Sequence, residues 1–220
     1  MGTSHISECV VLLHGLARTK HSMAMLARRL STLGYRVFNV GYPSRTASIE
    51  DLSGRIIPEA LRSCGEQNAQ SIHFVTHSLG GIIVRHYLKF HEIPNLGCVV
   101  MLSPPNRGSE IVDTFRHNWF FRWFNGPAWQ QLSTATDSLP NRLGKANFRL
   151  GVIAGDRSID PILSLFIPGK NDGKVSVART AVEGMKDFKI IHATHPFIMR
   201  NRQVIKEVIS FLEKERFIER

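Results

Sequence analysis

The chain has 220 residues, 43 % of them hydrophobic and 21 % charged, a balance that excludes wholesale disorder and suits one well-filled core. Lys and Arg number 28 against 18 Asp and Glu, a net charge of +10 with His neutral. Such a surface attracts polyanions, whether nucleic acid, anionic lipid headgroups or acidic substrates, and composition does not choose among them.

Cys9, Cys64 and Cys98 are odd in number and far apart in sequence. They argue against a disulfide framework or a zinc site, and buried free thiols are expected. No stretch approaches the roughly eighteen apolar residues of a transmembrane helix. The N-terminus, Met1-Gly2-Thr3-Ser4-His5, lacks a signal peptide's apolar core. The expected location is the cytoplasm, with membrane association and a removed leader both open.

In chain order, Cys9 to Leu13 is a short apolar run, read as a buried parallel strand ending at His14-Gly15. Met23, Leu26, Ala27, Leu30 and Leu33 recur at helical spacing, and Gly34 stops that helix. Tyr35 to Val40 is a second strand, closed by Gly41-Tyr42-Pro43. Leu52 to Cys64 marks a second helix, with Pro58 set against it. Ile72 to Thr76 is a third strand, Leu79 to Phe90 a third helix, and Leu96 to Leu102 a fourth strand. From Ser103 to Asn147 no strand is evident. The rhythm returns with strands at Phe148 to Ala154 and Phe188 to His192, and a last helix whose face carries Val204, Ile205, Val208, Ile209 and Leu212.

Six strands alternating with helices predict an α/β protein with a mainly parallel sheet and helices on both faces. In such sheets functional residues gather at the carboxyl ends of the strands. Directly after the third strand the chain reads Thr76-His77-Ser78-Leu79-Gly80-Gly81 and enters an apolar helix. This resembles the nucleophile elbow of α/β-hydrolases, G-x-S-x-G, in which a sharp strand-to-helix turn projects a serine above the sheet. Gly80 and Gly81 supply the small neighbours on the far side; on the near side Thr76 stands where the family has glycine. Without the resemblance, the segment reads as a helix capped by serine after a turn.

The first strand ends in His14-Gly15-Leu16, as hydrolases of this fold commonly do. The resemblance implies that Leu16 and Leu79 offer their backbone N–H groups as an oxyanion hole, with His14 structural. The base is read as His195, past the last strand; His192 is expected within the strand and packed. His77 is expected to point away from Ser78, and His73, His86 and His91 to be core or surface residues. For the acid, Asp172 lies in Asn171-Asp172-Gly173-Lys174-Val175-Ser176, which closely resembles the segment carrying the catalytic aspartate in many bacterial lipases. Its spacing to His195 leaves room for one helix and one strand. Asp156 is the alternative acid, and Asp160, before Pro161, is read as a turn.

Four such motifs in family order make nearly the whole chain similar to small bacterial serine lipases and esterases, a minimal α/β-hydrolase in one domain over residues 1–220. The resemblance implies ester hydrolysis through Ser78, His195 and Asp172. A thioesterase, an acyltransferase or a catalytically silent anionic-surface module stands as the alternative. A cap insertion is expected over about residues 104–147. It holds Phe115, Trp119, Phe120, Phe121, Trp123, Phe124 and Trp129, and all three tryptophans of the chain. Trp119, Phe120, Trp123 and Phe124 are candidate acyl-pocket residues, with plain packing as the alternative. The interleaved Arg116, His117 and Arg122 suit an anionic membrane surface. The basic residues are spread without a dense run and no nucleic-acid motif occurs, so the expected partner is a small-molecule ester or lipid and not nucleic acid. No metal or cofactor is expected, and oligomeric state is not legible.

Overall fold

A computed structural model describes residues 7–219; the polar N-terminal residues 1–5 lie outside the described residues. Six strands, β1 (Glu8–Leu13), β2 (Arg36–Val40), β3 (Ser71–His77), β4 (Leu96–Leu102), β5 (Leu150–Gly155) and β6 (Asp187–Ile191), form one sheet in the order β2-β1-β3-β4-β5-β6. Every neighbouring pair is parallel. The expected strands are all present, with ends displaced by one or two residues. The chain between β4 and β5 forms no strand, as its lack of alternation predicts.

Helices α1 (Ala24–Ser31), α2 (Ile49–Gly65) and α3 (Leu79–Phe90) follow the first three strands. The first helical stretch begins as a 3-10 turn, Lys20–Met23, before becoming α-helical. Helix α2 runs through Pro58. The proline removes the hydrogen bond to the carbonyl of Gly54, which lies on the exposed face of the helix. Ser48 caps α2 by accepting from the Asp51 N–H at 3.1 Å. Between β4 and β5 come α4 (Glu110–Phe115), α5 (Trp119–Gln130) and α6 (Leu139–Arg142). Short α7 (Pro161–Ser164) and α8 (Val177–Thr180) lead to β6, and α9 (Arg202–Lys214) closes the chain.

Strand side chains alternate between the sheet faces, so two cores form. On one face Val11, Leu13, Phe74, Val99 and Met101 pack with Ile49, Leu52 and Ile56 of α2 and Ile82 and Ile83 of α3. On the other, Val10, Leu12, Val75, Val100 and Ile153 pack with Leu26 and Leu30 of α1 and Val204, Val208 and Phe211 of α9. The three cysteines are buried and free. Distant in sequence, Cys9 and Cys64 meet where α2 lies on β1; their thiols hydrogen-bond, and burial pushes both thiols up.

His73 has partners the sequence does not suggest. The register slips between Ile72 and Phe74, leaving β4 one residue longer than its partner there. The freed Cys98 N–H donates to His73 Nδ1 at 2.9 Å, and Nε2 pairs with Glu8 at 3.1 Å. Arg85 of α3 is buried and donates to the Asn106 carbonyl (2.9 Å) and side-chain oxygen (3.1 Å) and to the Gly144 carbonyl (2.7 Å). It ties the base of the β4–β5 insertion to the sheet, and burial pushes its guanidinium down to about 10.

Phe211 is fully buried, its ring tilted against that of Phe217 at 5.1 Å. Its replacement by Ala is expected to lower stability by about 3–5 kcal/mol in a urea titration. Phe90→Ala, at a residue largely exposed, is expected to change it by less than about 0.5 kcal/mol.

Candidate active site

Strand β3 ends at His77 and α3 begins at Leu79, so Ser78 alone makes the turn. Its backbone sits at φ 51°, ψ −118°, a strained conformation for a residue with a side chain. The Ser78 N–H donates to the Leu102 carbonyl at 2.9 Å, and the Ser78 carbonyl accepts from Gly81 at 3.0 Å. The glycines are needed for close approach. A Cβ on Gly80 would meet the Leu13 carbonyl at 2.8 Å, and one on Gly81 would meet Thr76 Oγ1 at 3.3 Å. Gly81 thus leaves room for the side chains of Met101, Pro104 and Thr76 around it.

His195 lies past β6, at the start of a 3-10 turn (His195–Arg200), and Asp172 in the turn after α7. The His195 Nε2 stands 3.1 Å from Ser78 Oγ, and its Nδ1 2.7 Å from Asp172 Oδ2. The carboxylate oxygen only accepts, so Nδ1 carries the proton and Nε2 presents a lone pair to the hydroxyl. Asp172 is fully buried, and its other oxygen accepts from Lys174 N (3.0 Å) and Val175 N (2.9 Å). Gly155, at the end of β5, admits this turn, since a Cβ there would lie 3.0 Å from Asp172 Cβ. The serine, histidine and aspartate read from separate motifs thus stand in one continuous hydrogen-bonded chain.

The alternatives pair with each other. His192 Nδ1 lies 3.0 Å from Asp156 Oδ1. This His192 is not packed as expected: it follows the last residue of β6, and its side chain is 72 % exposed. It borders a separate cavity of about 260 Å³ with Arg157, Thr194 and Arg200. Asp160 caps α7, accepting from the Leu163 N–H at 2.9 Å, in keeping with its reading as a turn.

His14 is structural through its ring as well as its backbone. The ring is buried and stacks on Tyr42 at 4.0 Å; Nδ1 donates to the Gly15 carbonyl at 2.9 Å, and Nε2 accepts from Tyr42 N at 3.3 Å. The Tyr42 hydroxyl donates to the His14 carbonyl. Ser44 accepts from the Ala17 N–H at 3.0 Å. The segment after β2 thereby clamps the loop 14–18. Leu16, from this loop, lines the cavity beside Ser78, and the N–H of Leu79 heads α3. Tyr42 and Ser44 carry no local motif; only their position after β2 hints at them. His77 also departs from expectation: it lines the cavity, its ring lying against that of His195.

The cavity over Ser78 measures about 610 Å³. Its apolar wall comes from Ile111, Val112, Phe120, Phe121, Phe124 and Trp129. Of the four aromatic candidates, Phe120 and Phe124 line it. Trp119 and Trp123 do not; they are 76 % and 73 % exposed on the outer side of α5. Phe121 and Trp129 line it as well; α5 kinks at Gly126 (φ 77°), ahead of Pro127, between the two. Arg18 and Lys174 also border the cavity. Among the described residues no cluster of three or more His, Cys, Asp or Glu side chains could hold a metal ion, and no helix is long and apolar enough to cross a membrane.

No protein-family model matches the chain, and no curated protein matches it in sequence. Solved structures do. The mature form of Bacillus licheniformis lipase BlEst2 aligns at TM-score 0.66 and 20 % identity over 94 % of this chain and 89 % of that one. A metagenomic carboxyl esterase aligns at 0.65 and 22 %, over 89 % and 66 %. Phospholipase PlaB from Legionella pneumophila aligns at 0.62 and 21 %, over 79 % of this chain and 45 % of that one. This chain thus spans 45 % of the phospholipase in that alignment and 62 % of it in a second structure, and half of BlEst2 in its propeptide form. At such identities the likeness is one of fold: the chain has the α/β-hydrolase fold on which these lipases and esterases are built.

Burial lowers the pKa of His14, and that of His77 well below the ordinary histidine value. Both hold a proton less readily in the folded protein than once unfolded, where they take up protons below about pH 6.5. The unfolded state then binds more protons, so stability falls as pH drops below about 6.5 and is unaffected by these groups above it. Thermal midpoints between pH 5 and 7.5 are expected to show this slope, and His77→Gln to flatten it.

Proposed function

We propose that this chain is a serine hydrolase acting on carboxylic esters with an acyl or lipid chain. The observation that carries the proposal is the relay from Ser78 Oγ through His195 to buried Asp172, at 3.1 and 2.7 Å, opening into a largely apolar cavity. In this reading Ser78 Oγ attacks the ester carbonyl carbon while His195 Nε2 takes the hydroxyl proton. Asp172 holds the ring in the productive tautomer and stabilises the imidazolium. The oxyanion meets the N–H groups of Leu16 and Leu79, a pair of donors of which one is typically worth about 3 kcal/mol of barrier. The tetrahedral intermediate expels the alcohol, protonated by His195. Water, deprotonated by the same nitrogen, then releases the acid and restores Ser78. A thioester or an acyl acceptor other than water fits the same relay. A silent binding module accounts for neither the strained Ser78 nor the fully bonded Asp172.

Peripheral contact with an anionic lipid surface belongs to this reading. The outer side of α5 exposes Trp119 and Trp123, and the α7 region exposes Ile159, Ile162, Leu165 and Phe166. Phe115 of α4 and Phe166 meet edge to face at 5.8 Å, so the insertion and the α7 region adjoin. Arg45 lies over the Phe124 ring at 4.9 Å, and Arg116 and Arg122 are interleaved with the aromatics. Apolar side chains between cations on one face suit insertion among anionic headgroups.

A fluorophosphonate probe is expected to label the wild type and neither Ser78→Ala nor His195→Ala; absence of Ser78-dependent labelling in folded protein would overturn the reading. Asp172→Asn is expected to lower kcat by about 10⁴-fold, as wrong-tautomer variants do. Across p-nitrophenyl esters of increasing length, Phe120→Ala is expected to shift the chain-length preference and Trp123→Ala to leave it unchanged. In vesicle sedimentation the Trp119→Ala/Trp123→Ala pair is expected to lose binding to phosphatidylglycerol vesicles, with the wild type ignoring phosphatidylcholine.

A further inference from the structure

His77 has no part in the proton relay, yet its ring is enclosed by it. The side chain is 1 % exposed and lies between two loops that come from opposite ends of the chain. On one side its Nε2 is 3.0 Å from the His195 backbone carbonyl, and the two imidazole rings are 4.8 Å apart. On the other side is Gly15, where a Cβ would lie 2.7 Å from His77 Nδ1 and 3.1 Å from Cε1. The ring occupies the space that a side chain at position 15 would need.

The hydrogen-bond chemistry decides the tautomer. A carbonyl oxygen accepts only, so His77 Nε2 carries the proton and Nδ1 is a bare lone pair. That Nδ1 is buried and has no hydrogen-bond partner among the described residues. A buried acceptor without a partner is costly, and a hydrocarbon ring of the same shape would avoid the cost. The one polar contact a phenylalanine could not reproduce is the bond to the His195 carbonyl. The backbone N–H of His195 is held as well, donating to the Asp172 carbonyl at 3.0 Å. Both backbone polar groups of the base are therefore tied down, one by the acid's main chain and the other by His77.

We propose that His77 is a positioning residue: through its Nε2–H it fixes the peptide carbonyl of His195, and so the placement of that imidazole between Ser78 and Asp172. The proposal rests on the serine-hydrolase reading for its kinetic consequence and not for its structural one. Burial, next to His195, Arg18 and His14, keeps the His77 ring neutral. It therefore adds no positive charge against the imidazolium that forms on His195 during turnover. The bond is static, and no proton passes through it.

Glutamine places its Nε2 donor about where His77 Nε2 stands; asparagine places its amide near the Nδ1 position, short of the carbonyl; phenylalanine keeps the shape and loses the donor. His77→Phe is expected to lower kcat at least tenfold with KM within twofold, and His77→Gln to recover most of the loss. His77→Asn should behave like His77→Phe, which keeps the comparison available if the phenylalanine variant does not fold. Independently of any substrate, the downfield NMR resonance of the His195 Nδ1 proton bonded to Asp172 should persist in the wild type and His77→Gln and move or broaden in His77→Phe. If no ester is turned over by any form, the hydrolase reading fails and the resonance alone decides this proposal. A His77→Phe or His77→Asn variant with wild-type kcat and an unmoved resonance would overturn it. So would a His77→Gln variant as impaired as the other two, since packing alone would then be at stake.

Discussion

Helix α3 starts one residue after β3 ends, and the geometry around the site follows from that reversal. A chain that turns within Ser78 drives the first turn of α3 against the carbonyls at the end of β1, with room at Gly80 for a hydrogen and no more. A side chain there would push the helix away from β1 and open the gap between Ser78 and the loop carrying Leu16. The strain at φ 51° is thus imposed by two layers that pack tightly on either side of it, the parallel sheet below and α3 above. Gly15 continues the same close approach one strand away, where the His77 ring lies against the β1 loop.

Around this turn the polar groups are unevenly satisfied, and the pattern has physical meaning. Asp172, which has no exposure to water, accepts from two backbone N–H groups and the His195 ring. Full satisfaction of a buried carboxylate makes its position unique, because any displacement breaks several bonds at once. The loop at His14 is secured likewise: Tyr42 stacks on the ring and donates to Nε2 and to the His14 carbonyl, while Nδ1 donates to the Gly15 carbonyl. Thr76 Oγ1 and His77 Nδ1, in contrast, are buried without hydrogen-bond partners among the described residues. Both flank Ser78, so the sequence tolerates local polar cost where the turn is tightest.

The insertion between β4 and β5 divides its aromatic residues by face. Phe121 and Trp129 join the cavity wall with Phe120 and Phe124, while Trp119 and Trp123 face solvent. Helical periodicity produces the division within the first half of α5, and the break at Gly126 directs Trp129. The net charge of +10, which composition alone leaves equally open to nucleic acid and lipid, acquires a setting in the arginines interleaved with this apolar surface. The buried arginine of the insertion's base, Arg85, is held by neutral acceptors and lies away from that exposed surface.

Periodicity and punctuation determined the strands, the helices and the parallel alternation, because a buried strand must be apolar along its length and a helix must stop where glycine or proline stops it. Local motifs likewise marked Ser78, Asp172 and the His14-Gly15 loop, since a sharp turn needs small residues at fixed offsets. The sequence did not reveal contacts between segments far apart in the chain. Tyr42 on His14, His77 on His195, Cys9 on Cys64 and His192 with Asp156 depend on sheet order and on where the loops fold back, and no local pattern encodes either. His192 was misread for that reason: one residue of strand length separates a packed side chain from an exposed one. Which carboxylate lies 2.7 Å from His195, Asp172 and not Asp156, is likewise a matter of tertiary structure, since it depends on the packing of β5, β6 and their loops.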